Sequence, residues 1–198
     1  MQPSEPFYVD DAVRALLDPR VPATDPVIQT IQVAMSGFGY NFHDARNVAR
    51  SNDQIVRERA SDVLGELSIA LGKLERSYRD LRFPGATREV PMPPPDVLHR
   101  IREIDSARKR AEALATALHT AETPATDMIW IRFRNEMTTL QRLVALDVGL
   151  ALGTVRARDT VLSLVASALD DSSLSALDGE FAALEKIFNQ RSALLKGG

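Results

Sequence analysis

In this chain of 198 residues, the side chains whose type and spacing could do chemistry are three histidines, two glycine-bearing stripes and one aspartate inside an apolar run. His99 stands four residues before Glu103, and His119 three before Glu122. A di-iron carboxylate bundle needs Glu-x-x-His from each of two helices and a Glu from each of two more. Neither pair has that order, so both read as surface histidines beside helix-stabilising acids, and no metal site is expected. The chain has no cysteine, which removes disulfides, thiolate-ligated metals and thiol nucleophiles together. Nucleophile elbow, Walker loop, dinucleotide fingerprint and zincin motif are all absent from the sequence. No cofactor and no catalytic residue are expected, and an enzymatic role is the less favoured reading.

Ser61, Gly65, Ser68 and Gly72 recur at steps of four, three and four, and Ala145, Gly149, Gly153 and Ala157 at steps of four. Glycine inside a helix costs about 1 kcal/mol relative to alanine, so these positions imply close approach by a neighbour. Tight helix packing, within or between chains, is the favoured reading; a slot for a flat or acyl ligand is the alternative. Asp147 sits in Leu143–Leu150, otherwise apolar apart from Gly149. The expectation is a place on the solvent strip of its helix. Otherwise it is buried with a partner such as an Arg from another helix, where it fixes packing.

Phe42-His43-Asp44-Ala45-Arg46-Asn47 resembles the phosphoacceptor box of histidine kinases, in which His is followed by an acid, then Arg and Asn. The resemblance implies that His43 takes a phosphoryl group while the adjacent acid orients the imidazole. It covers only these few residues; Val48 stands where the family usually has proline, and no Gly-rich ATP-binding domain follows. An ordinary helix start is the competing reading.

Periodic apolar residues supply the elements that must position these groups. One long helix is expected from about His43 to Arg82, with a heptad seam through Ala60, Val63, Leu67, Ala70, Leu74 and Leu81, widened by Leu64, Leu71 and Tyr78. The connector over 84–95 is proline-rich and its last proline can start a helix. The next helix, Asp96 to about Thr120, carries Val97, Ile101, Ile104, Ala111, Ala115 and Leu118, with Arg108 breaking the seam once. A third begins at Asp127 and uses Phe133, Met137, Leu140, Val144, Val148, Ala151 and Val155; Asp170–Ser173 make a turn and cap. The last carries Leu174, Leu177, Phe181, Leu184, Phe188, Arg191 and Leu195 before a frayed Lys196-Gly197-Gly198. Residues 1–42 hold five of the eleven prolines and five of the eleven aromatics. They read as an arm with short helices at Asp10–Leu17 and from Pro26 to about Ser36, the latter capped by Thr24-Asp25. The fold expected is all-α: a mainly antiparallel bundle of four to five long helices over 43–198, with a proline-punctuated N-terminal arm.

Charge narrows the partners. The net charge is −3, which gives no basic field for nucleic acid. Between residues 37 and 90 nine basic side chains stand among eight acidic ones, a solvated or salt-bridged face more than an anion track. The most apolar stretch, 143–155, is 13 residues long and contains Asp147, too short for the roughly 20 residues of a membrane span. No leader-like segment opens the chain, and the cytoplasm is the expected compartment. Met128–Arg134 is apolar around most of a helix, more than one packed face can cover. Trp130, Ile131, Phe133 and Arg134, a hot-spot composition, are therefore the candidate partner-binding residues. The function expected is a non-enzymatic helical interaction or assembly protein that self-associates or binds a partner protein.

Overall fold

The computed structural model describes residues 24–26, 28, 29, 45–86, 88, 91–121, 136–166 and 171–196. Helix is the regular structure among them, in four long elements: α1, Ala45–Arg82; α2, Pro95–Thr120; α3, Glu136–Ala166; and α4, Asp171–Lys196. No strand occurs among them, and no helix among them is long and apolar enough to cross a membrane.

Local chemistry sets the ends. Pro95 opens α2 as its first residue, where its fixed φ suits a helix and its missing N–H is not needed. α1 closes as Phe83 N donates to Arg79 O at 2.8 Å, just before Pro84 and Gly85. α4 is already helical at Asp171 and runs through Lys196, so Ser172 and Ser173, expected in the turn, belong to its first turn; Asp170, Gly197 and Gly198 lie outside the described residues. Of the arm, the described residues show the anticipated start at Asp25-Pro26: Ile28 N donates to Asp25 Oδ1 at 3.4 Å, and Gln29 N to Asp25 O at 2.9 Å. Asp25 Oδ2 also accepts from Arg158 Nη2 of α3 at 2.5 Å, and Ile28 is buried.

Arg57, near the start of α1, reaches carbonyl oxygens at the end of α2, so those helices are antiparallel. Arg191, near the end of α4, meets Asp53 of α1 and lies 4.0 Å from Asp147 of α3. Helices α1 and α3 thus run one way, α2 and α4 the other. α1 packs chiefly on α2 and α3, α4 on α3 and more lightly on α2, so two helical hairpins lie side by side with α2 and α3 on a diagonal.

The core is continuous across all four helices, from Leu64 and Leu71 through Ile104 and Ala111 to Leu164, Leu177, Phe181 and Leu184. Three seam assignments need correction. Ala107, not Arg108, occupies the buried position of α2, so that seam is unbroken. Leu81 is 74% exposed: α1 continues 29 residues past Asp53 whereas α3 ends 19 residues past Asp147, leaving the tip of α1 without a third helix. In α3 the expected Val148 and Ala151 are buried, but Val144 and Val155 are only half-buried, and a second ladder of Leu143, Asp147, Leu150, Thr154, Ala157, Val161 and Leu164 is buried beside them.

Candidate functional site

At the end of the bundle where α1 and α3 begin and α2 and α4 finish, four charged side chains are buried together: Asp53, Arg57, Asp147 and Arg191. This overturns the solvent-strip placement of Asp147, which is 4% exposed. Asp53 is the hub. Its Oδ2 accepts from Arg57 Nε at 3.0 Å, and its Oδ1 accepts from Arg191 Nε at 2.6 Å with Nη2 at 2.5 Å. Arg57 also donates through Nη1 to Leu118 O at 3.0 Å and Ala121 O at 2.8 Å. The last carbonyls of a helix have no partner within it, and α2 ends in an extended Ala121 instead of a left-handed glycine cap. The guanidinium from α1 is thus the C-terminal cap of α2, favourably placed against the negative end of its dipole.

Asp147 is the outlier of the group. Among the described residues neither of its oxygens has a hydrogen-bond partner, and Arg191 Nη2 has none beyond its close approach to Asp53. Burial raises the Asp147 carboxyl well above the usual carboxylate range, the neighbouring Asp53 carboxylate raises it further, and Arg191 opposes both. All four side chains are 4% exposed or less. What it does chemically is tie α1, α2 and α4 together around one carboxylate.

Two surface clefts flank the core. One, of about 640 Å³, lies between the first turns of α2 and α4 beside Tyr78, with Asp96, His99, Arg100, Glu103 and Asp178 on its walls. Three of its charged side chains engage one another: Arg100 Nη1 donates to Glu103 Oε2 at 3.0 Å, and His99 Nε2 lies 3.4 Å from Glu103 Oε1. The other is an open groove along α1 and α2, lined by Ser61, Gly65, Ile69, Ala115 and His119. Among the described residues no group of three or more histidine, aspartate or glutamate side chains could hold a metal ion.

The glycine stripes separate once seen in place. A methyl group added at Gly153 would come within 2.7 Å of Leu184 Cδ2, and at Gly149 within 3.4 Å of Ile187 Cδ1. Gly72 faces Arg108 Cδ at 3.3 Å, whereas Gly65 meets nothing within 4 Å. The α3 stripe therefore lies directly under α4 side chains, while Gly65 opens onto the groove. Gly65→Ala is expected to stabilise the fold by up to about 1 kcal/mol through helix propensity. Gly153→Ala is expected to destabilise it by about 1–3 kcal/mol because buried Leu184 must move. Urea titration of the two variants checks both signs.

Trp130, Ile131, Phe133, Arg134 and His43 lie outside the described residues. Sequence reasoning missed Asp53 entirely and read Arg57 only as one of the basic side chains of a solvated or salt-bridged face, although the α1 seam, extended by one heptad before Ala60, lands on Asp53. Arg191 was visible as a charge on a seam position, but its partner was not. No protein-family model, curated protein or solved structure matches the chain.

Proposed function

We propose that this chain is a non-enzymatic interaction or assembly module: a bundle of four to five long helices with an N-terminal arm, working by self-association or by binding a partner protein. The observation that carries the reading is the contrast between its two kinds of surface. Buried Arg57, Ser61 and Arg191 bond across helices, whereas Leu162 and Val165 stand on one outer face of α3, both more than half exposed. They are one and two turns beyond Arg158, which holds Asp25 of the arm. Exposed large apolar side chains grouped on a helix face favour contact with another chain. Trp130, Ile131, Phe133 and Arg134 remain the second candidate contact.

Light scattering of the purified chain tests the proposal, with Leu162→Glu and Trp130→Ala beside it. The expected result is a mass above that of one chain, falling to one chain in at least one variant while helical circular dichroism is retained. A single-chain mass at every concentration would remove self-association and leave only a foreign partner. Gly153→Leu is unsuitable as an interface probe because of its contact with Leu184. A ligand slot is supported only at Gly65, where the groove is open; Gly149 and Gly153 are covered by α4.

A further inference from the structure

The distribution of hydrogen bonds inside the buried cluster is uneven in a way that specifies a proton. Among the described residues two guanidiniums and two carboxyls are buried there, yet both guanidiniums bond to Asp53. Arg57 is further committed to two carbonyl oxygens of α2. Arg191 Nε is 2.6 Å from Asp53 and 4.0 Å from Asp147. An ionised Asp147 would thus be a carboxylate with no hydrogen bond at either oxygen, on the ladder between Leu143 and Leu150 and beside a second carboxylate. An unpaired charge so placed is among the costliest arrangements in a protein, and two carboxylates sharing a site do not both stay ionised. A protonated Asp147 removes that cost and has an acceptor at hand, the Asp53 carboxylate. It leaves the two guanidiniums with Asp53 and with the partially negative C-terminus of α2.

We propose that Asp147 is a proton-holding switch: in the native bundle its carboxyl keeps a proton that it donates to Asp53, and loss of this proton as pH rises loosens the end of the bundle where α1, α3 and α4 meet. Among the described residues the charged groups facing Asp147 are Asp53 and Arg57 from α1 and Arg191 from α4; α2 contributes the carbonyls that hold Arg57. The folded-state value lies above the unfolded one, in accord with the burial and the Asp53 repulsion. The stabilising contribution is then complete below the ordinary carboxylate range and is given up as pH rises through the folded-state value. It is the opposite of the usual behaviour of a salt-bridged aspartate.

Asp147→Asn is the test, because an amide keeps the shape and a donor for Asp53 but has no proton to lose. From about pH 5 upward, until the folded-state value is passed, the folding equilibrium constant of the wild-type chain should fall by up to about tenfold per pH unit relative to the variant. Infrared spectroscopy near neutral pH should show a protonated carboxyl C=O band in the wild type that the variant lacks. Parallel stability profiles, or a wild-type spectrum without that band, overturn the proposal. Should Asp147→Asn fail to fold, the wild-type infrared titration decides alone: the band must be present at neutral pH and vanish as the pH is raised.

Discussion

Asp53→Asn is expected to be the most damaging single change of charge in the molecule, costing about 3–5 kcal/mol. Chemical denaturation should show a lowered midpoint with an unchanged slope. The side chain is fully buried and accepts from two guanidiniums. An amide oxygen can serve one of them, and its NH2 group faces the other as a donor facing a donor. Arg57 keeps its two carbonyl acceptors on α2, so the larger loss falls on Arg191. Asp147 lies 4.0 Å from Arg191, and with the repelling Asp53 carboxylate gone it can ionise and take over part of the pairing. The cost of the substitution should therefore be largest at low pH and shrink as pH rises. A pH-independent cost would mean that Asp147 does not exchange roles with Asp53.

Phe181→Ala should cost a similar amount, about 3–5 kcal/mol, for an unrelated reason. Phe181 of α4 is fully buried in the shared core with Leu177 and Leu184. It also carries the Arg110 guanidinium of α2 at 6.0 Å from its ring centroid. Arg110 in turn forms a two-pronged pair with Glu185, at 2.7 and 2.8 Å. Removing the ring opens a cavity and takes away the apolar platform under this pair. Arg110→Ala separates the two contributions: a half-exposed ion pair is worth about 0–1 kcal/mol, so nearly all of the Phe181→Ala loss should be cavity. An equal loss in Arg110→Ala would show that the α2–α4 contact depends on charge instead.

Much of the helical architecture was legible in heptads. The seams of α2 and α4 lie where their leucines, isoleucines and alanines recur, with Pro95 and Pro84-Gly85 punctuating them. In α3 periodicity could not choose a face, because Leu143–Val155 is apolar nearly all round and Asp147 and Thr154 look like solvent markers. Both are buried: Thr154 satisfies its hydroxyl on Leu150 O at 2.8 Å, and Asp147 joins a cluster assembled from residues 53, 57 and 191. Pairing across 138 positions of sequence leaves no local trace. Leu81 failed for a simpler reason: a seam tells which face is apolar, not how far the neighbouring helices extend.

The buried ion pair has one further consequence, for alignment. Aliphatic seams repeat every seven residues, so α4 could in principle slide along its neighbours by one heptad, about 10 Å, and still match leucine to leucine. Arg191 and Asp53 do not repeat. With α4 slipped deeper into the bundle Arg191 would face hydrocarbon while Asp53 kept only Arg57, and the penalty for an unpaired buried charge exceeds what a few leucine contacts return. The two polar side chains thus make one of several nearly equivalent registers the native one, acting as a key cut into an otherwise periodic lock.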